Sequence, residues 1–363
     1  MAFWTNLWNN FNKNSKQYIA HFLPDSRIDE EYDSSPITPG EAYCRLWLVE
    51  MRLSKSMVWL TSRHPVVHSS ITFDYQGQPR TIPYLAGRDY FKELTDQNLD
   101  KVIQRNDPLT PRFPYNRGDV RIQAGLLSLK GDDPTARFIR TMGRFSELLP
   151  VPELSKVLNL AGPVYSGIED LLGAGESNLE LGYQETFTSG GSGQNHLRKG
   201  YIAAILAGEN QIDPNMLCVV GDSLRLGVPG ERSDFRSQSQ PLNGYSYMLF
   251  RLDRYHDQDW ESLTAIKELV QKAQTTAASG KYEQVKELLP AIKVAVYQSD
   301  DLTKQDRRRV WLKIQDDLNE LGLESTSGRV PNRTLNAIMK RPLPSLSLEA
   351  TAELETFERF FDE

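Results

Sequence analysis

Between Glu41 and Asp253 apolar and polar residues alternate in short runs, and that period predicts half-buried strands. Cys44, Leu46 and Leu48 alternate, and Val49, Met51 and Leu53 do so on the opposite parity, which predicts one long strand with a register change or two short ones. Met57–Leu60 and Val66–Tyr75 read as further strands, with Gln76-Gly77-Gln78 a hairpin turn into Arg80–Leu85. Gly87–Leu94 reads as a short helix, and Asn106–Arg117, with Pro108, Pro111 and Pro114, as an ordered crossover. Val120, Ile122 and Ala124 open another strand that Leu126, Leu127 and Leu129 extend. Leu179–Thr188, Lys199–Ala207, Leu217–Val220 and Tyr245–Leu252 continue the pattern, and Gly221-Asp222 turns toward Leu224–Val228 as a hairpin. Ser189–Gly193 reads as a flexible loop and Ser233–Asn243 as a polar, mobile one.

Helical spacing interrupts the strands once and replaces them near the C-terminal end. After Asp133-Pro134, a cap and first-turn pair, Phe138, Met142, Phe145 and Leu149 share a face. Leu154, Leu158, Ala161, Tyr165, Ile168 and Leu172 form a second stripe that Pro163 is expected to kink or split. From Asp257 three stripes follow: Trp260 to Ala273, Val285 to Val296, and Val310 to Leu321, the last opened by Thr303 and Asp306 as a variant capping box. The expected class is therefore α+β: an antiparallel β-sandwich or twisted sheet over 41–253 with an inserted helix pair over 134–172, followed by a helical bundle over 257–322.

The flanks differ from this body. Over 1–23, Phe3, Trp4, Leu7, Trp8, Phe11, Tyr18, Ile19 and Phe22 fall on one helical face against an asparagine-rich back, an amphipathic aromatic helix suited to a partner's groove or a membrane interface. Residues 24–40 read as an acidic linker and 323–346 as a second linker. Over 347–363 an acidic amphipathic tail carries Leu354, Phe357, Phe360 and Phe361. Phe3, Trp4, Leu7, Trp8, Phe11, Leu354, Phe357, Phe360 and Phe361 are thus the candidate partner- or membrane-binding residues.

Charge sharpens that division. Of a formal net charge of −6, Pro24–Gly40 carries −4 and Ser347–Glu363 carries −5, which leaves the remainder slightly basic. No strong basic surplus or nucleic-acid motif is present, so nucleic acid is not an expected partner. Only two cysteines occur, which disfavours a disulfide framework and suits a reducing cytoplasm. No apolar run approaches the roughly 18–20 residues that cross a bilayer, and the first residues lack a signal-peptide core.

Candidate chemistry adds little. His64 and His68 have ligand-like spacing, but Pro65 and Val66-Val67 make that spacing a strand's, where the two rings do not converge as on a helix. Cys44 or Cys218 with His196 or His256 would make a nucleophile and base pair, but no protease signature surrounds either cysteine, which reads as a small buried hydrophobe. Gly190–Gly193 matches neither phosphate-loop nor dinucleotide spacing. Asp300-Asp301 and Asp316-Asp317 read as helix caps and solvated acids, and Arg307–Arg309 as a solvated helix face. No catalytic residue, metal site or cofactor is assigned. The expected function is a non-catalytic cytoplasmic adaptor or scaffold subunit that recruits protein partners, another copy of itself included, through its terminal segments. The alternatives are a conditional membrane-active effector, peripheral to a membrane through residues 1–23 or the 134–172 helices, and a hydrolase with an unrecognised site.

Overall fold

The computed structural model describes residues 18–31, 33–52, 54, 57–58, 61–86, 103–130, 153–174, 177–189, 195–208, 211–227 and 232–321. Fourteen strands form among them: β1 (Tyr18–Phe22), β2 (Ala42–Arg52), β3 (Met57–Val58), β4 (Thr61–Tyr75), β5 (Gln78–Ala86), β6 (Ile103–Pro108), β7 (Phe113–Tyr115), β8 (Val120–Lys130), β9 (Ser177–Phe187), β10 (Gly200–Leu206), β11 (Leu217–Val220), β12 (Ser223–Leu226), β13 (Gln240–Pro241) and β14 (Tyr247–Tyr255). The helices are α1 (Leu154–Ala174), the short α2 (Phe235–Gln238), α3 (Thr264–Ala278), α4 (Tyr282–Gln298) and α5 (Lys304–Glu320). The class is mixed α+β, with antiparallel sheets and helices toward the C-terminal end.

Three sheets organise the chain. A six-stranded sheet runs β1-β10-β14-β2-β6, with β7 also on β2; a five-stranded sheet runs β3-β4-β8-β9, with β5 on β4; and β11-β12-β13 form a small third sheet. One buried cluster joins the first two: Cys44, Leu46, Leu48, Ile202, Phe250 and Leu252 come from the six-stranded sheet, and Val67, Ile71, Ile122, Leu126 and Leu181 from the five-stranded one. Helix α1 packs on β5 and adds Leu154, Val157 and Val164 to the same core. The other face of the six-stranded sheet buries Val49, Ala203, Ile205, Tyr247 and Leu249 under the small sheet's Leu217, Val219 and Leu224. Helices α3, α4 and α5 enclose a third core of Ile266, Val270, Val285, Ile292, Val296, Val310, Ile314 and Leu318.

The register change expected in the first strand is present as a bulge. On β14, Leu249 pairs Glu50 and Phe250 pairs Leu48, so Val49 is the extra residue. The bulge puts Val49 and Glu50 on one face, and Glu50 is buried there beneath β12. Its carboxylate accepts the Leu224 amide at 2.6 Å, the Tyr247 hydroxyl at 3.0 Å and the Ser223 hydroxyl at 3.1 Å, a polar clamp between the two sheets.

Several expectations are corrected. Tyr18–Phe22, expected on the aromatic helix, is strand β1, paired antiparallel with β10 from Tyr18↔Leu206 to Phe22↔Ile202. Apolar residues at Ile19 and Phe22 suit either period, and the open edge of β10 decides in favour of sheet, with Ile19 against the outer core and Phe22 against the inner one. The acidic stretch 24–40 is docked: Asp29 pairs Arg236 at 2.9 Å, Arg254 pairs Asp33, and bridges join Ile28 to Val219 and Pro36 to Arg198. Helix α1 continues through Pro163, which lies on its exposed side, where water can satisfy the carbonyl that the ring leaves without a donor. The polar stretch 233–243 is held as α2 and β13, with Phe235 fully buried. The expected helices over 87–94 and 134–149 lie outside the described residues.

Candidate functional site

A concavity lined by charged side chains lies where the small sheet ends over the six-stranded one. Cross-strand register aligns Tyr201 on β10 with Arg251 on β14 and Trp47 on β2, all on the outer face. The β11–β12 hairpin closes through Gly221 and Asp222 with φ of 54° and 60°, the left-handed pair of a two-residue turn that suits the twist of the strands. That turn delivers Asp222 onto the row. Arg251 Nη1 donates to its two carboxylate oxygens at 2.9 and 3.0 Å, and the Tyr201 hydroxyl donates to Oδ1. Arg251 Nε also faces Asp253 Oδ1 at 3.3 Å, and its guanidinium lies 5.3 Å from the Trp47 ring centre. Arg45 packs on the same ring at 5.1 Å, so the indole is held by two cations.

Asp29, Glu30 and Lys199 complete the walls of a cleft of about 250 Å³. Asp29 reaches it because its carboxylate accepts the Gly221 amide at 3.3 Å while pairing Arg236. Burial works to lower the pKa of Arg251, but Asp253 and Asp222 outweigh it and hold the guanidinium above its ordinary range. Burial, and then Asp222, push the Tyr201 phenol above its ordinary range, so it is a hydrogen-bond donor at neutral pH and not a base. With Arg251 claimed by two carboxylates, Asp29, Glu30, Asp222 and Asp253 outnumber the cations, and the cleft offers acceptors to a basic or amine-bearing group.

Two further polar nodes lie where the C-terminal helices meet the sheets. Asp306, fully buried in the first turn of α5, accepts the Tyr43 hydroxyl at 2.7 Å, the Gln258 amide at 3.1 Å and Arg309 Nε at 2.5 Å. Thr303 Oγ1 caps the Asp306 amide at 3.2 Å, as the sequence leads one to expect, but the Thr303 amide donates to the Tyr43 hydroxyl at 3.1 Å instead of to Asp306. A residue of β2 thus completes the cap of α5. In the second node Asp301 Oδ1 accepts both the Tyr75 hydroxyl and the Leu154 amide at 3.0 Å.

Phe3, Trp4, Leu7, Trp8, Phe11, Leu354, Phe357, Phe360 and Phe361 lie outside the described residues, as do Gly190–Gly193. Cys44 and Cys218 are buried free thiols whose pKa burial raises, which disfavours the thiolate. His64 and His68 lie in β4, and burial pushes the His68 imidazole down to about 3. His196 bridges Thr188 through its backbone, and His256 lies in a shallow hollow with Glu41, Lys304 and Gln305. Arg307 and Arg309 pair with Asp300 at 3.9 Å and with Asp306, and Asp317 pairs with Lys313 at 3.6 Å. Among the described residues no group of three or more His, Cys, Asp or Glu is placed to hold a metal, and no helix is long and apolar enough to cross a membrane.

Asp29, Tyr201, Asp222 and Arg251 were not singled out from sequence. The one local signal was an acid in a Gly-Asp hairpin turn; the arginine it meets is 29 positions away. No protein family, curated protein or solved structure matches this chain.

Proposed function

We propose that the protein is a non-catalytic adaptor or scaffold subunit, in which the two large sheets act as a β-sandwich, the three C-terminal helices as a bundle, and aromatic segments flanking them recruit other proteins. Phe3, Trp4, Leu7, Trp8 and Phe11 are the recruiting residues of one segment, and Leu354, Phe357, Phe360 and Phe361 of the other. The observation that supports this reading is the anchorage of β1. It is the edge strand of the six-stranded sheet, and the first aromatic segment precedes it directly.

That edge is firmly built. Leu23 is fully buried and its amide donates to the Tyr201 carbonyl at 2.9 Å. Phe22 lies across Gly200, where an added Cβ would come within 2.3 Å of the Phe22 ring, and Arg198 covers the ring at 4.8 Å. A partner gripping the aromatic segment therefore pulls on the sheet. The acidic cleft accepts a basic side chain of such a partner as a secondary contact. Two buried free thiols suit a reducing compartment such as the cytoplasm.

Deletion of residues 1–17 tests the reading. The shortened chain is expected to keep its thermal midpoint and to lose a defined set of proteins that co-purify with the full chain. A lowered midpoint assigns the segment to the fold, and an unchanged set of co-purifying proteins removes its recruiting role.

A further inference from the structure

Asp301 stands at a junction of three elements. Its neighbours come from the β4–β5 hairpin through Tyr75, from the start of α1 through Leu154, and from the α4–α5 connection to which it belongs. The hairpin also brings Arg80 and Asp74, and Asp74 pairs at 2.9 Å with Arg117 of the β7–β8 connection. The start of α1 brings Glu153, paired with Lys156 and accepting the Thr264 amide at the head of α3. The connection itself adds Asp300, with Arg307 of α5 at 3.9 Å from it. Three carboxyls, Asp300, Asp301 and Glu153, thus crowd one seam between the C-terminal helices and the rest of the fold.

The hydrogen bonding at Asp301 is lopsided. Both donors, the Tyr75 hydroxyl and the Leu154 amide, go to Oδ1, and among the described residues Oδ2 accepts none. A proton on Oδ2 therefore removes the charge and leaves both bonds in place. We propose that Asp301 is a proton-sensitive coupling: proton uptake by its carboxyl tightens the docking of the α4–α5 connection on α1 and the β4–β5 hairpin, and proton release loosens it.

The electrostatics agree with that geometry. Burial is the largest influence, opposed by the two hydrogen bonds and reinforced by Glu153 and Asp300, and together they push the Asp301 carboxyl up to about 6 from an ordinary value of 3.8. A carboxyl raised on closure favours the closed junction fully below its ordinary pKa, and this advantage is lost as pH rises from there to about 6. A shift of this size corresponds to roughly a hundredfold fall in the closing equilibrium, at tenfold per unit.

Hydrogen exchange on the full chain, corrected for the intrinsic pH dependence of exchange, reads this at the Leu154 amide and the first turn of α1. Protection is expected to fall about fiftyfold between pH 4 and pH 7, since part of the advantage is already lost at pH 4. Asp301→Asn, whose Oδ1 can keep both bonds, is expected to flatten that dependence. Asp300→Asn alters a half-exposed neighbour and is expected to shrink the fall by lowering the Asp301 pKa, a test that stands even if Asp301→Asn does not fold. Protection in the native chain that is as flat as in Asp301→Asn, or that falls on acidification as for an ordinary capping carboxylate, overturns the proposal, as does an Asp300→Asn profile identical to the native one.

Discussion

Replacing Asp306 with alanine tests whether the C-terminal helices are latched to the sheets through one buried carboxylate. The change removes the acceptor of three donors: the Tyr43 hydroxyl, the Gln258 amide and Arg309 Nε. Arg309 is 45% exposed and rehydrates at little cost. Tyr43 is fully buried and Gln258 nearly so, and each donor stranded without a partner costs about 1–3 kcal/mol. Loss of a negative charge from the first turn of α5 adds about 0.3–1 kcal/mol. The sum centres on about 4.5 kcal/mol. Urea unfolding followed by far-UV ellipticity measures it, and a chain of this size is expected to show the helices separating before the sheets melt. Tyr43→Phe is expected to lose about 1.5–3 kcal/mol by itself, because it deletes a hydrogen bond to a charged group. In the double variant most of that loss is absent, giving a coupling of about 1–3 kcal/mol. A loss below about 1 kcal/mol for Asp306→Ala, or additive effects in the pair, refutes the latch.

Two other perturbations probe different parts of the fold. Gly200→Ala drives a Cβ into the Phe22 ring and is expected to cost about 1–3 kcal/mol, read as lost amide protection in β1 while β14 and β2 stay protected; equal loss across the sheet contradicts the edge anchorage. His68, buried and with its imidazole down at about 3, favours the folded chain above an ordinary histidine pKa of 6.5 and withdraws that support as pH falls, by up to about 4–5 kcal/mol at the acid limit. His68→Gln should therefore flatten the acid limb of the stability profile in equilibrium unfolding between pH 4 and 7, and an unaltered limb argues against the assignment.

Strand positions were largely legible in the sequence because a buried face imposes a period of two whatever the partner. The parity change from Cys44, Leu46 and Leu48 to Met51 marked the bulge on β2, although Val49, expected on Met51's face, is on the opposite one, and Gln76-Gly77 marked the β4–β5 turn, where φ is 58° and 75°. Pairing order was not legible: β1 joins β10 across about 180 residues, and no local signal names that partner. The same distance hid the docking of the acidic stretch, since Asp29 and Asp33 meet Arg236 and Arg254 only after folding. Pro163 does not split the helix for a geometric reason, because a proline on the solvent side of a long helix gives up one hydrogen bond that water can replace. At the cleft, Asp222 was visible as a turn residue, but its role depends on Tyr201 and Arg251 reaching the same face of a sheet.

Recruitment by the aromatic segment that precedes β1 is measured most directly by site-specific photo-crosslinking. With a photoreactive phenylalanine analogue at Trp8 of the full chain, irradiation in cells is expected to give adducts with a second polypeptide that a copy carrying the analogue at exposed Lys272 does not give. Adducts confined to peptides of the same chain would place the aromatic face on this protein's own body and contradict the adaptor reading.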